Sequence, residues 1–151
     1  IKNLKLSINT KVKFCDQKDS YRNSIGFEDI KLAINSIDKY ILINTLDVNQ
    51  QDILIENTVN ASEEENIINK ILYVYSEPDR AIIIYGKNST DSTALKKYDQ
   101  LAKLGIKDVY IYYGGLFEWL LLNELYGNEE FPVTNSSNVD LLKYRPKSLF
   151  N

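Results

Sequence analysis

Residues 81–119 read AIIIYGKNSTDSTALKKYDQLAKLGIKDVYIYYGGLFEW, in succession a strand, a loop, a helix, a second strand and a Gly-Gly turn. Ala81–Tyr85 is a short, continuous apolar run bounded by Gly86, the pattern of a strand covered on both faces. The segment Gly86–Asp91 is polar and reads as a loop. From Ser92 onward, Ala94/Leu95, Tyr98 and Leu101/Ala102 recur at helical spacing until Gly105 stops the run. Val109–Tyr112 is the next strand. Gly114-Gly115 turns the chain into a strongly apolar helix, Leu116–Tyr126, which Gly127 ends. Two strands joined through a helix pair in parallel, with a right-handed crossover.

The same alternation extends toward the N-terminus. Gly26 precedes FEDIKLAINSID (27–38), where Phe27, Ile30, Leu32, Ala33, Ile34 and Ile37 fit a 3.6-residue period. Glu28 and Asp29 suit its positive N-terminal end. Tyr40–Leu46 predicts a buried central strand, and Asp52–Val59 carries a short apolar patch among polar residues. Ser62 is the expected N-cap of the next helix, with Glu65 completing a capping box. Ile67, Ile68, Ile71, Leu72 and Tyr75 form its expected buried stripe, and Glu77-Pro78-Asp79 its end. Residues 1–24 predict an N-terminal arm or edge strand, since Lys5–Ile8 and Lys11–Phe14 alternate polar and apolar. Residues 132–151, with Pro132 and Pro146 and little periodicity, predict an extended C-terminal tail. The expectation is one α/β domain over 25–131, a mainly parallel central sheet flanked by helices.

Composition narrows the chemistry. A chain of 151 residues forms one domain by default and can bury roughly two-thirds of its unfolded surface. The net charge of −3 argues against a nucleic-acid role, which needs a basic face to displace counterions. No apolar run approaches the roughly 20 residues of a membrane span; Leu116–Leu122 is broken by Glu118. The N-terminus does not have the shape of a signal peptide, and the absence of Met marks Ile1 as no translation start, so a fragment or processed product is expected. The single Cys15 excludes an internal disulfide and points to an intracellular, reducing compartment, cytoplasmic or organellar. The absence of His removes Ser-His-Asp and Cys-His catalysis and His-ligated zinc together. No metal site and no cofactor are expected. Glu63-Glu64-Glu65 reads as a solvated helix start.

In combination, the loop, Leu104-Gly105, Val109-Tyr110 and Gly114-Gly115 with its aromatic-rich helix resemble a rhodanese-like (sulfurtransferase) domain, over about Ile25–Phe131. The first half matches less closely. The family's Asp-x-Arg after the early strand reads Asn44-Thr45-Leu46 here. Its His-Ile-x-Gly-Ala-x-Asn segment corresponds to 54–60, with Ile55 and Asn60 retained. The resemblance implies a strand ending in a catalytic Cys, whose thiolate is wrapped by loop N–H groups at a helix N-terminus. Those donors lower the thiol pKa and stabilise a persulfide or a bound anion. Here the loop Gly86, Lys87, Asn88, Ser89, Thr90, Asp91, Ser92 contains no Cys. Aligning strand ends places Gly86 at the nucleophile's position; aligning from the helix end places Ser89 there. Neither can carry a persulfide, and a Ser nucleophile needs a base that a His-free chain lacks.

The expectation is therefore a catalytically degenerate domain, no enzyme, acting as a protein-binding or structural component of a larger assembly. Asp91 or Ser89 is expected to cap the helix and fill the cradle from within. Lys87, Ser89 and Ser92 are the candidate anion cradle, and Phe117 and Trp119 the candidate partner contacts. Two alternatives accompany this reading. One is a residual sulfurtransferase or phosphatase-like enzyme, which depends on Cys15 reaching the loop. The other is a small-anion sensor using the loop amides and Lys87, which a carboxylate of Asp91 folded into the cradle would oppose.

Overall fold

Three short strands, β1 (Tyr40–Asn44), β2 (Ala81–Tyr85) and β3 (Val109–Tyr112), pair in parallel in the order β1-β2-β3. The computed structural model that shows them describes residues 22–136 and 138–150. Among the described residues, four helices accompany the sheet: α1 (Phe27–Ile34), α2 (Ala61–Tyr73), α3 (Ser92–Lys103) and α4 (Gly115–Tyr126). Short 3₁₀ helices lie at Val48–Gln50 and Leu141–Tyr144. The parallel α/β architecture expected from the sequence is the one observed.

Successive strand residues point to opposite faces, so continuous apolar strands build two cores. On one face Ile41, Ile43, Ile82, Ile84, Val109 and Ile111 pack with Ile68 of α2 and with Ala94, Tyr98 and Leu101 of α3. On the other, Leu42, Ile83, Tyr85 and Tyr112 pack with Ile30, Ala33 and Ile34 of α1 and with Leu116, Trp119 and Leu120 of α4. Phe131, Val133 and Tyr144 from the C-terminal tail belong to this second core. Buried Tyr85 is anchored there by its hydroxyl, which lies 2.6 Å from Thr58 Oγ1 and accepts from Ile55 N–H at 3.2 Å.

Both sheet edges are extended by isolated bridges. Ser24 pairs in parallel with Ile111 beside β3, and Thr58 with Leu42 beside β1. Of the expected N-terminal arm, only 22–24 fall among the described residues; there Arg22 forms a two-point pair with Asp99 of α3, its Nη2 donating at 3.0 Å. Cys15 lies outside the described residues. The tail makes an antiparallel bridge, Ile55 to Val133, and returns across the domain to bury Tyr144 at 1% exposure.

Three local expectations are corrected. The N-cap of α2 is Asn60, whose Oδ1 accepts both the N–H and the hydroxyl of Ser62 at 3.1 Å, so the helix begins before Ser62. That helix ends at Tyr73, ahead of Pro78, which leaves Tyr75 fully exposed rather than in the buried stripe. α1 stops at Ile34, where Asn35 caps it, and Ile37 beyond it is exposed. Among the described residues, no helix is long and apolar enough to cross a membrane.

Removing the buried Tyr144 ring leaves a cavity in the second core. Tyr144→Ala should cost about 3–5 kcal/mol, read as a lower urea midpoint of unfolding with far-UV dichroism retained before the transition.

Candidate functional site

The C-terminal ends of parallel strands are where α/β folds place ligand crevices, because the loops leaving them meet there. β2 ends at Tyr85, so Gly86 is the first residue beyond the strand, and α3 begins six residues later at Ser92. Gly86 thus follows the tip of β2 directly, and Ser89 lies three residues further along the loop.

Two side chains organise the loop from inside. Asn88 is buried, and its Oδ1 accepts the N–H and hydroxyl of Thr90 at 3.0 and 2.8 Å. Its Nδ2 donates to the carbonyls of Tyr144 and Arg145 at 3.0 and 3.1 Å, clamping the tail across the loop. Asp91 is the N-cap of α3. Its Oδ1 accepts Thr93 N–H at 3.0 Å and Thr93 Oγ1 at 2.7 Å, while its Oδ2 turns back to accept Lys87 N–H at 3.0 Å. That Oδ2 lies 2.8 Å from where a Cβ on Gly86 would stand. Burial raises the Asp91 pKa, but hydrogen bonds from Lys87 and Thr93 and the charge of Lys87 outweigh it and hold the carboxyl below its usual value.

α4 docks end-on against this loop. Leu116 N–H donates to Gly86 O at 3.0 Å and Phe117 N–H to Lys87 O at 2.9 Å, satisfying amides that a helix start leaves unpaired. The approach requires glycine: Gly115 has φ +65°, and a Cβ there would sit 2.6 Å from Gly86 O.

Outside the loop lies a cavity of about 310 Å³, lined by Thr45, Leu46, Asp47 and Gln50 from the β1 side, by loop residues and by Arg145 and Lys147 of the tail. Of the expected cradle, Lys87 and Ser92 line it, whereas Ser89 is exposed and is not part of the lining. Phe117 is half-buried against the second core. Trp119 is fully buried, donates Nε1–H to Pro132 O at 3.0 Å and packs edge-on to Phe131 at 5.0 Å, so it is a core anchor with no surface to offer. Sequence reading missed the tail clamp. Asn88 and Arg145 are 57 positions apart, and no local pattern links them. Among the described residues, no group of His, Cys, Asp and Glu could hold a metal ion.

A family model, described as rhodanese-like domain, matches residues 30–122, more than half of the sequence. The chain belongs to the rhodanese-like family. Solved structures with this fold include a Bacillus halodurans protein, 18% identical with a TM-score of 0.55 over 76% of this chain and 82% of that one. A single-domain sulfurtransferase from Saccharomyces cerevisiae is 14% identical with a TM-score of 0.51, covering 70% of this chain and 94% of its own. An As-Sb reductase from Leishmania major is 21% identical, with a TM-score of 0.51 and coverage of 71% and 80%. At these identities the likeness is one of fold. No curated protein sequence matches significantly.

Gly115→Ala should destabilise this rhodanese-like domain by at least about 1–3 kcal/mol, measured by urea unfolding, because strain at positive φ adds to a backbone clash. Asp91 sets an acid limit. Its native pKa is lowered, so its contribution is complete above the unfolded value of about 3.9 and is lost as pH falls through the native one. Asp91→Asn should flatten the fall in thermal midpoint below about pH 4, while Asp91→Ala should cost about 0.5–2 kcal/mol at neutral pH as a lost N-cap.

Proposed function

We propose that this rhodanese-like domain is non-catalytic and serves as a protein-binding or structural component of a larger assembly. The observation that carries the reading is the position of Asp91. Its carboxylate occupies the space in front of Gly86, where a nucleophile side chain would project, and takes the Lys87 N–H that a thiolate or substrate anion would need. A fixed negative charge there repels both.

The binding half of the reading draws on α4. Helices apolar on every side are ordinarily buried all round. Here Leu116, Trp119 and Leu120 face the core while Leu125 stands 73% exposed, with Leu121 one turn earlier on the same outer side. That outer surface, rather than Trp119, suits an apolar contact with a partner.

The enzyme alternative relies on Cys15, and no described residue favours it. The loop-amide anion sensor is opposed by Asp91, which already accepts from Lys87 and Thr93.

A thiosulfate:cyanide sulfurtransferase assay tests the reading. The intact chain should give no turnover above buffer, and Cys15→Ser should change nothing. Gly86→Cys alone should stay silent because its Cβ meets Asp91; Gly86→Cys with Asp91→Ala opens the cradle and should restore measurable turnover. Turnover by the intact chain that Cys15→Ser abolishes would overturn the proposal.

A further inference from the structure

The C-terminal tail brings to the loop a charge pattern that the fold does not need. Residues 143–147 read KYRPK, three cations without an acid, in a chain whose net charge is −3. The backbone beneath them is fixed. Tyr144 is buried, Asn88 clamps the carbonyls of Tyr144 and Arg145, and Lys147 N–H donates to Thr90 Oγ1 at 3.3 Å. The Arg145 guanidinium is steadied by Nη1 donating to Leu142 O at 2.6 Å. Lys87 and Lys143 each place Nζ 5.9 Å from the centre of the Tyr144 ring, bringing a loop cation to the strap.

Two concavities share Arg145 and Lys147. One is the cavity beside the loop, whose lining includes Asp47 and Asp91. The other, of about 460 Å³, is lined by Lys143, Arg145, Pro146, Lys147 and Ser148, with no carboxylate among them. An anion is therefore favoured on the strap side and disfavoured in the loop cradle. Three cations on a clamped backbone, in a concavity without a carboxylate, favour a ligand that carries more than one negative charge. A dianionic phosphate with three acceptor oxygens matches them, and the planar Arg fork can take two of its oxygens at once. Pre-organisation favours binding further, since the strap loses little freedom when the ligand arrives.

We propose that Lys143, Arg145 and Lys147 form a binding site for a phosphate monoester, carried on a serine or threonine side chain of a protein partner. This specifies the partner chemistry of the binding role proposed above and rests on that reading.

The test is fluorescence anisotropy on the full chain with a labelled peptide carrying one phosphoserine among Gly and Ala, beside the same peptide with Ser. The phosphopeptide should bind at least about tenfold more tightly, and Arg145→Gln or Lys147→Gln should each weaken it about tenfold. Binding should also weaken as NaCl is raised. Lys39→Gln, before β1 at the opposite end of the strands, should bind as the intact chain does. Arg145→Lys should recover much of what Arg145→Gln loses, which separates lost charge from a loosened strap. Inorganic phosphate and free phosphoserine serve as competitors. Displacement only at concentrations far above that of the peptide supports a protein-borne group, and displacement at equal concentrations overturns that source in favour of a small molecule. Equal binding of both peptides, or indifference to both Gln variants, overturns the site. The sulfurtransferase assay fails separately, because turnover there would sink the non-catalytic reading and leave the phosphate measurement unchanged.

Discussion

Gly115 lets the first turn of α4 rest on two carbonyls of the loop after β2, and the second core is closed through that contact. With φ at +65° and no Cβ, the helix start comes close enough for Leu116 and Phe117 to donate to Gly86 and Lys87. The dock fixes α4, which presents Trp119 to the core; the indole N–H then holds Pro132 and so the start of the tail. From there the chain bridges Ile55 through Val133, buries Tyr144 and returns to Asn88 of the same loop. Loop, helix and tail make one circuit, and its members should be strongly non-additive on mutation because each positions the next.

The same loop must satisfy its own amides. A concave turn at a helix N-terminus gathers N–H groups whose dipoles point inward, and a buried donor without an acceptor costs about 1–3 kcal/mol. Asn88 and Asp91 supply acceptors to Thr90, Thr93 and Lys87. The bonds to Asp91 are charge-assisted, and they prevail over the cost of partly burying its charge, which is why its pKa falls. In a turn built in this way, the N–H groups of Lys87, Thr90 and Thr93 find their acceptors within the chain.

Much of the fold was legible because it is local. The runs of β2 and β3 and the periodicity of α3 gave those elements with bounds matching the structure at Ala81–Tyr85 and Val109–Tyr112. Boundaries failed where two residues of similar capping chemistry compete. Asn60 and Ser62 can each cap α2; the Ser-Glu-Glu-Glu run favoured the second, yet Asn60 accepts from Ser62 itself. Trp119 illustrates another limit. An aromatic in an apolar helix suits an interface and a core equally well, and only the partner of its N–H, contributed by the tail, separates them. The expectation that Asp91 fills the cradle was legible in part, since N-capping is local. Its second bond, back to Lys87, depends on how sharply the loop folds.

Holding α4 and the tail makes the loop indispensable to the structure whether or not it turns over a substrate. Chemistry needs one thiolate at the tip of β2, whereas the circuit needs the carbonyls of Gly86 and Lys87, the side chain of Asn88 and an acceptor inside the turn. None of those four requirements involves a nucleophile. On the proposed non-catalytic reading, a lineage that gave up the thiol would still have to retain the loop, and would be left with inward amides lacking their anion. A carboxylate at the helix N-cap would, on that reading, meet the need by itself and shut the cradle as it did so. On the proposed reading, binding then moves outward to surfaces the circuit makes rigid: the outer side of α4 and the cationic strap clamped by Asn88.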